Sequence, residues 1–311
     1  MKILDFTDGS FLLKTLIKDG NSFAAGKIGI NELLTIYMYI NNRKCKFDVE
    51  RFDICQNIEI FNQRLLDLES VDEKNYWNST TYEKAFLGMG LFPKQKESIF
   101  DFLRVIVKDI QELDISTVWA QDKLKKFEKD FILNLSPNCR LIEQRSLESY
   151  YSGTPWTEEL KNKKVLIVSP FTESIKKQYE KRKLLWRDPR ILPDFELLTL
   201  THSLNPNLGV SSKFNSWIEM LQDTKARISN IDFDIALIGA SASSLPIAAH
   251  CKRMGRQAVH LGGSLQVLFG ITGERWQTKP IVKSFENENW TRVSFEETPP
   301  FFKQLENGCY W

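Results

Sequence analysis

Short apolar runs alternate with amphipathic segments along the second half of the chain. In the most regular example, the apolar run Ile235–Ile238 is followed by small residues that allow the backbone to turn tightly. Helical spacing over 245–254 is bounded by Pro246 in the first turn and by Gly255 just past the end, a combination typical of a helix. A second short strand over 257–261 completes the unit. A strand, helix and strand in this order predict a parallel sheet with right-handed crossovers.

The same alternation begins at about residue 115. Predicted strands occupy 116–120, 140–143, 164–169 and 195–200, and predicted helices occupy 121–131, 173–186, 216–228 and 265–270, with a short helix starting at 157. Strands that alternate with helices in this way predict an α/β fold. Its sheet is expected to be Rossmann-like, doubly wound and mainly parallel.

The first 114 residues carry a helix-rich pattern. Predicted helices occupy 1–20, 32–40, 52–68, 82–87 and 98–113, and a strand over 22–28 precedes a turn at Gly29. Neither a repeat nor a low-complexity linker marks a domain boundary. We therefore expect residues 1–114 to pack as a helical N-terminal part on a Rossmann-like part formed by 115–311, or to join it in one continuous domain.

Composition and charge narrow the classes of function. The 311 residues include 42 Lys and Arg against 40 Asp and Glu, and the net charge of +2 gives no overall attraction to nucleic acid. The 5 cysteines lack C-x-x-C spacing, which argues against a disulfide framework and a zinc ribbon. Asp5 and Asp8 interrupt any signal peptide, and no run reaches the about 20 apolar residues of a spanning helix. We expect a cytoplasmic protein with no nucleic-acid partner.

Small and hydroxyl residues stand at three predicted strand ends, which are 169–171, 239–244 and 260–263. In open α/β sheets, ligands bind at the carboxyl ends of the strands, where helix N-termini present free N–H groups to anions. A phosphate-bearing ligand fits these ends, and close packing of strand against helix fits them equally. For His260, at the last of them, a functional role is favoured over that of a hydrogen-bonded core histidine.

Two further motifs leave other chemistry open. Residues 239–243 approach the nucleophile elbow G-x-S-x-G, but His260 follows too soon for the usual order of a catalytic triad. A serine hydrolase is therefore disfavoured, and Ser241 is expected to donate a hydrogen bond to a ligand or to its own turn. The dinucleotide motif G-x-G-x-x-G is not matched. Arg275 and Trp276 suit a phosphate or a flat ring, although cation–π packing explains the pair equally.

Basic residues crowd the segment 176–190. A solvated helix surface is the default interpretation of such a run. The alternative is a peripheral membrane contact, in which these side chains bind anionic lipid headgroups or a phosphorylated acceptor.

Six segments share a wider pattern with a known family. They are 164–171 (KVLIVSPF), 191–195 (ILPDF), 234–239 (DIALIG), 249–250 (AH), 260–270 (HLGGSLQVLFG) and 273–276 (GERW), together with the closing Tyr310 and Trp311. In these segments the chain resembles bacterial proteins with a GT-D-like glycosyltransferase domain, found among enzymes of polysaccharide biosynthesis. The resemblance spans roughly residues 20–311 and is most specific over 260–276.

This resemblance implies a Rossmann-like fold that moves a sugar from a nucleotide-sugar donor to a glycan or lipid-linked glycan acceptor. GT-D enzymes carry an N-terminal motif Arg-Phe-Gly-Asp-Gly-Glu, whose Asp-x-Glu is associated with a divalent metal and the donor diphosphate. In the matching stretch, KIGINE, Lys27 replaces the Arg, while Gly29 and Glu32 are retained. Ile30 stands where the Asp is expected. Mn²⁺ or Mg²⁺ is thus implied with Glu32 as the one retained ligand of the motif, whereas such ions prefer several oxygen ligands.

The substitution at Ile30 redistributes the expected roles. Sugar transfer builds negative charge on the leaving phosphate, which a metal ion, Lys, Arg or helix-terminal N–H groups must stabilise. Lys27, Arg275 and the turn over 239–244 then carry more of that task. Glu32 becomes available as a general base on the acceptor hydroxyl or as a ligand of a sugar hydroxyl. The purely structural explanation of Glu32 is that the helix macrodipole favours a carboxylate in the first turn of a helix.

Together these arguments predict a glycosyltransferase of bacterial surface polysaccharide or glycoprotein glycan biosynthesis. The expected catalytic residues are Glu32 and His260, with Glu32 also the candidate metal ligand. The expected donor- and phosphate-binding residues are Lys27, Gly29, Asn31, Gly239, Ser241, Ser243, Gly262, Gly263, Gln266 and Arg275. The alternative is a non-catalytic nucleotide- or glycan-binding protein of the same fold.

Overall fold

A sheet of seven parallel strands lies at the centre of the structure, which is a computed structural model describing residues 2–40 and 79–311. The strands are β1 (Phe23–Gly26), β2 (Ile115–Thr117), β3 (Arg140–Ile142), β4 (Lys164–Ser169), β5 (Glu196–Thr201), β6 (Ile235–Ile238) and β7 (Gln257–His260). Their order across the sheet is β3-β2-β1-β7-β6-β4-β5. A separate pair of short parallel strands joins β8 (Ile271–Thr272) to β9 (Thr291–Arg292).

Helices connect these strands. The described helices are α1 (Phe6–Asp19), α2 (Ile30–Ile40), α3 (Ser79–Leu87), α4 (Lys96–Ile110), α5 (Asp122–Leu135), α6 (Thr172–Glu180), α7 (Arg182–Leu185), α8 (Trp217–Ser229), α9 (Ser244–Arg253), α10 (Ser264–Leu268), α11 (Glu274–Gln277) and α12 (Pro280–Lys283). Short 3₁₀ segments fill several of the remaining connections and much of the C-terminal end. Within the described ranges, every helix is too short or too polar to span a lipid bilayer.

The strands are apolar because both faces of the sheet are covered. In β4, Val165 and Ile167 pack into one core, whereas Leu166 and Val168 pack into the other. Continuous apolar runs are the pattern expected of such doubly covered strands. Full burial of each Val, Leu or Ile side chain stabilises the fold by roughly 1.5–3 kcal/mol. A charged residue at Ile167 would therefore disrupt β4, which is buried on both faces.

Helices lie on both faces, so the fold is α/β and Rossmann-like, as predicted. On one face, α4, α8 and α9 contribute Ile99, Trp217 and Ile247 to the core. On the other face, α1 and α6 contribute Leu13 and Ile175.

The N-terminal residues supply a central strand. Ala25 of β1 pairs with Ile115 of β2 on one side and with Val259 of β7 on the other. Because all these strands are parallel, their carboxyl ends meet at one edge of the sheet. The residues that follow β1 are therefore brought to the same edge as those that follow β7.

Several predicted elements agree closely with the structure. The strand predicted over 164–169 is β4 itself, and β6 occupies 235–238 as predicted. The helix predicted over 173–186 is instead divided into α6 and α7 at Lys181. The helix predicted over 265–270 ends at Leu268, and the helix predicted over 52–68 lies outside the described residues.

The connections that leave β4 and β6 run in opposite directions across the sheet. From β4 the chain passes through α6 to β5 at the sheet edge, whereas from β6 it passes through α9 to β7 at the other side. Neighbouring strands whose connections leave in opposite directions open a crevice at their carboxyl ends, and ligands of doubly wound folds bind there.

Candidate functional site

A cleft opens at this crevice, along the carboxyl ends of β4 to β7. Its walls are mainly apolar, with Phe171, Trp217, Leu265, Tyr310 and Trp311 among the residues that line it. The cleft has a volume of about 130 Å³, close to the roughly 150 Å³ of an apolar cavity that holds a benzene ring. Sites that bury a whole drug-sized ligand measure roughly 300–1,000 Å³. The cleft therefore has room for one ring of a nucleotide sugar.

Two glycines at the edge of the cleft are explained by close packing. A side-chain carbon at Gly239 would lie 2.8 Å from the carbonyl oxygen of Gly262, and one at Gly263 would lie 2.9 Å from Cε1 of Tyr310. Real side-chain carbons essentially never approach other atoms so closely. These residues allow the turn after β6, the turn after β7 and the C-terminal end to meet.

Gly262 has a different environment. Its φ of +60° lies in the left-handed region, which favours glycine. A side-chain carbon there would lie 3.2 Å from Cε and 3.4 Å from Nζ of Lys27, and 3.5 Å from Nε2 of His260. Gly262 thus leaves space for the Lys27 ammonium beside the wall of the cleft.

The serines of the turn after β6 are engaged within the protein. Oγ of Ser241 lies 3.1 Å from the carbonyl oxygen of Gly88 and 3.0 Å from that of Met89, and it can donate to one of them at a time. Oγ of Ser243 accepts a hydrogen bond from Nε1 of Trp217 at 3.0 Å. The described residues show no hydrogen bond between Ser241 and a histidine, which a nucleophilic serine requires. The packing interpretation holds for Ser243, and the hydrolase interpretation gains no support.

The residues after β1 meet the end of β7 and the turn after β6 at one small void. A cavity of about 10 Å³ is lined by residues from these three segments, including Lys27, Gly29, Glu32, Ser241 and His260. The two predicted catalytic residues therefore face a common space. Their chemical roles remain predictions.

Gly29 and Glu32 form the start of α2. The carbonyl oxygen of Gly29 accepts a hydrogen bond from the backbone N–H of Leu33 at 2.8 Å, as expected of an N-cap residue. The carboxylate of Glu32 folds over Gly29, so that a side-chain carbon there would lie 2.0 Å from Oε2. Glycine is thus required for this position of the carboxylate. The helix macrodipole favours the same carboxylate, so the structural explanation of Glu32 also holds.

Asn31 lies between Gly29 and Glu32 in the sequence, but its side chain faces away from the void. A side-chain carbon at Gly88 would lie 2.4 Å from Nδ2 of Asn31, so the amide packs against α3 and the residue that follows it. The structure therefore separates Asn31 from the void that holds Lys27 and Glu32.

Burial shifts Lys27 and Glu32 toward their neutral forms. Both side chains are half-buried. Burial lowers the pKa of Lys27, Arg275 adds to that shift, and Glu148 and Glu32 oppose it. Burial raises the pKa of Glu32, while its own backbone N–H and Lys27 oppose the shift and Glu306 adds to it. A carboxylate with a raised pKa is a stronger base, which suits proton transfer near neutral pH.

His260 is buried at the end of β7, with 5% of its surface exposed. Its side chain lies over Gly26 of β1, where a side-chain carbon would be 3.0 Å from Cβ of His260. Nδ1 has no hydrogen-bond partner among the described residues. Burial and the charge of Lys27 lower the pKa of His260 to about 3. The imidazole is therefore neutral at physiological pH and cannot supply positive charge to a phosphate.

Arg275 reaches the site from α11 and is held by the C-terminal end. Nη1 donates to the hydroxyl of Tyr310 at 2.9 Å, and the guanidinium stacks 4.5 Å from the centre of that ring. Nη2 forms an ion pair with Glu306. Gln266 donates to the backbone carbonyl of Tyr310 at 3.0 Å. Although burial opposes it, the neighbouring Tyr310 and Glu306 raise the pKa of Arg275. The guanidinium is cationic and already partnered.

The structure adds residues that sequence reasoning missed. Trp119, just after β2, donates from Nε1 to the carbonyl oxygen of Ile28 at 2.9 Å, and the Lys27 ammonium lies 5.9 Å from the centre of its ring. Glu148 accepts a hydrogen bond from Ser264 at 2.8 Å and faces Lys27 electrostatically. Trp119 could have been found from its place at a strand end, whereas no periodic signal surrounds Glu148.

His202 also lines the cleft, at the end of β5. Its Nδ1 lies 3.1 Å from Oγ1 of Thr224, and burial lowers its pKa to about 4. The sequence around it did not single it out, because its strand end lacks the glycines that mark the ends of β6 and β7.

The surroundings of Glu32 do not fit a divalent metal ion. Within residues 2–40 and 79–311, no three His, Cys, Asp or Glu side chains come close enough together to hold one. Ile30 supplies no oxygen ligand, and Glu306 is paired with Arg275. Mn²⁺ and Mg²⁺ require several oxygen ligands, so one carboxylate is insufficient.

Three of the seven basic residues in the segment 176–190 form ion pairs at the surface. Lys176 pairs with Glu173, and Arg182 pairs with Asp194. Arg190 pairs with Asp188 at 2.7 Å. Ion pairs of this kind are typical of a solvated helix surface, and the membrane contact stays a prediction.

A scan of the chain against protein-family models, curated proteins and solved structures finds no match. The chemistry of the site is therefore inferred from the residues that form it. Those residues form an apolar cleft with room for one ring. The basic side chains Lys27 and Arg275 and the carboxylate of Glu32, whose pKa is raised, lie beside it.

Proposed function

We propose that the protein is a glycosyltransferase of the GT-D type, which moves a sugar from a nucleotide-sugar donor to a glycan acceptor in bacterial surface polysaccharide or glycoprotein glycan biosynthesis. The observation that carries this proposal is the shared void of Lys27, Glu32 and His260 at the carboxyl edge of the parallel sheet. Cationic and basic groups meet there, next to a cleft at the switch point of the fold.

The cleft and the cationic side chains suit different parts of the donor. The uncharged, aromatic-rich cleft accommodates one ring. Lys27 lies beside Gly262 at the wall of the cleft. Arg275 is close enough to lower the pKa of Lys27. Negative charge that develops on the leaving diphosphate is stabilised by such fixed cations in a site poor in water. Lys27 and Arg275 thus take the part that a metal ion plays in other transferases.

Glu32 has the properties of a general base. An acceptor hydroxyl oxygen attacks the anomeric carbon, the bond from that carbon to the phosphate oxygen breaks, and the nucleoside diphosphate leaves with the electron pair. The hydroxyl proton passes to the carboxylate of Glu32, whose pKa is raised by burial. Neutral His260 adds no charge beside Lys27, and its Nε2 lies on the Gly262 side of the ring, whereas Nδ1 faces Gly26 of β1.

One observation favours the alternative of a binding protein without turnover. Arg275 is already paired with Glu306 and stacked on Tyr310, so it meets a diphosphate only if that pair opens. Together with Ile30 in place of an acid, this arrangement would suit a protein that binds a nucleotide or a glycan and releases it unchanged.

Titration with nucleoside diphosphates and nucleotide sugars, followed by donor hydrolysis, tests the proposal. We expect binding and slow hydrolysis by the wild type. Lys27→Met should weaken binding about tenfold or more, because a hydrogen bond to a charged group contributes roughly 1.5–3 kcal/mol. Glu32→Gln should keep binding and lose turnover.

Glu180→Gln is the matched control, since Glu180 is exposed on α6. It should behave as the wild type in both assays. Binding with no turnover of any donor, with or without Mn²⁺, would establish the non-catalytic alternative. Absence of binding to the whole panel would refute both.

A further inference from the structure

A second cavity lies beside the cleft, between the start of α2, the end of α3 and the C-terminal end. Its volume is about 450 Å³, within the roughly 300–1,000 Å³ of sites that hold a small molecule. Its polar lining consists of Asn31, Glu83, Lys84, Gln304 and Glu306. We call this cavity the polar groove.

The polar groove adjoins the cleft. Leu87, Gly88 and Leu305 line both cavities. The wall between them includes the hydrogen bond from Ser241 to Gly88, and Ser241 also lines the void at Glu32. The cleft, the void and the groove therefore converge on one contact.

Two residues of the groove are related to Glu32: one is its neighbour in sequence, and the other acts on it electrostatically. Asn31 directly precedes Glu32, and the carboxylate of Glu306 is close enough to act electrostatically on Glu32. The groove therefore shares Glu306 with the ion pair of Arg275, and the charge of Glu306 acts on Glu32.

The lining indicates a neutral, hydroxyl-rich ligand. Two carboxylates and one ammonium face the groove, and each carboxylate already pairs with a cation outside it: Glu83 with Lys94 and Glu306 with Arg275. A phosphate would meet these carboxylates unfavourably. Sugar hydroxyls both donate and accept, so they can bond to carboxylate, amide and ammonium groups alike.

Apolar residues complete the groove. Leu87 and Leu305 offer aliphatic surface on the same lining as the polar side chains. A sugar ring presents C–H groups on its faces and hydroxyls around its rim, so it matches a lining of this mixed kind. A lining of amides, acids and aliphatic carbon fits a glycan better than a nucleotide.

We propose that the polar groove binds the hydroxyl groups of the glycan acceptor, while the donor occupies the cleft and the side of Lys27. This assignment rests on the proposed function, because it takes Glu32 as the group that receives the proton of the acceptor hydroxyl. The acceptor oxygen then attacks from the groove, and the nucleoside diphosphate leaves toward Lys27 and Arg275.

Two titrations of the full chain test this assignment. Methyl glycosides of glucose, galactose, mannose, rhamnose and N-acetylglucosamine are titrated by ligand-observed NMR, and UDP, GDP, CDP and dTDP by calorimetry. We expect the double variant Glu83→Ala, Gln304→Ala to weaken glycoside binding about tenfold, since two hydrogen bonds are lost. Nucleoside diphosphate binding should not change, which also shows that the variant is folded.

Lys303→Ala is the matched control, because Lys303 precedes Gln304 but lines a different groove. It should leave both titrations unchanged. The assignment is overturned if the wild type binds a nucleoside diphosphate but no glycoside, or if the double variant binds glycosides as the wild type does. Glycoside binding that is lost in the double variant, with no nucleotide binding, would keep the groove as a glycan site and reject the sugar-transfer function.

Discussion

Glu128 on α5 illustrates how one buried carboxylate shapes the edge of the site. Its Oε2 accepts hydrogen bonds from the backbone N–H groups of Trp119 at 3.0 Å and Ala120 at 2.9 Å. Burial raises its pKa to about 7, although those two donors and Lys125 oppose the shift. Glu128 thus fixes the segment after β2, whose Trp119 indole holds the carbonyl oxygen of Ile28, next to Lys27.

We predict that Glu128→Gln removes a pH dependence of stability. Because the pKa in the folded state is raised above the ordinary value of 4.5, the contribution of Glu128 is fully present below pH 4.5. It is lost as the pH rises through about 7. The loss is on the order of 3 kcal/mol for a shift of this size. Urea unfolding between pH 4.5 and 8 measures it.

The exposed Glu180→Gln serves as the control for Glu128→Gln. Glutamine at position 128 keeps an oxygen that can accept from both N–H groups, so the variant should fold. Parallel curves for the wild type and Glu128→Gln would show that the carboxylate does not titrate in this window.

At the scale of elements, two glycine turns allow backbone strain to be separated from crowding at the site. Gly262 has a φ of +60° and Gly255 a φ of +78°. A side-chain carbon at Gly255 would meet nothing within 4 Å, whereas one at Gly262 would lie 3.2 Å from Cε of Lys27. The two positions share the left-handed conformation and differ in their neighbours.

We predict that Gly262→Ala and Gly255→Ala lose a similar amount of stability, about 1–2 kcal/mol, since each places an L side chain in the left-handed region. Only Gly262→Ala should also weaken nucleoside diphosphate binding, because its methyl group displaces the Lys27 ammonium from the wall of the cleft. Thermal unfolding and calorimetric titration measure the two effects. Equal binding by both variants would place Lys27 outside the donor site.

The elements that could be predicted from sequence are those buried on both faces or periodic along one face. β4 and β6 stand out as apolar runs because both faces of the sheet are covered. The C-terminal end could not be predicted in the same way, because it consists of short 3₁₀ segments without periodicity. Its Glu306 and Tyr310 nevertheless determine the environment of Arg275.

At the scale of the whole molecule, the order of strands creates the candidate site. Local patterns identify β1 and β7 as strands, but they contain no information on which strands pair. The pairing of Ala25 with Val259 brings Lys27 and Glu32 to His260 across more than two hundred residues of sequence. Resemblance to a family, rather than periodicity, supplied the expectation that these residues act together.

The same folding buries two neutral histidines, and this makes the stability of the protein depend on pH in the acid range. The pKa of His260 is lowered to about 3 and that of His202 to about 4, in each case mainly by burial. In the unfolded chain both titrate near 6.5. Between these values the unfolded state binds more protons than the folded state. The contribution to stability is therefore fully present above pH 6.5 and is lost as the pH is lowered. His250, whose pKa burial also lowers, acts in the same direction.

We predict that His202→Gln and His260→Gln each flatten the loss of stability between pH 6.5 and 5. The experiment is best made in the Glu128→Gln background, because Glu128 titrates in this window with the opposite sign. Each histidine should contribute a slope of about 1.4 kcal/mol per pH unit near pH 5, so the two single variants should add in the double variant. Carboxylates whose pKa is lowered by ion pairs, such as Asp188 and Asp194, titrate below this window and do not interfere. An unchanged slope in His260→Gln would mean that its imidazole is hydrated at the sheet edge, and the dry, cation-bearing void required for sugar transfer would then be absent.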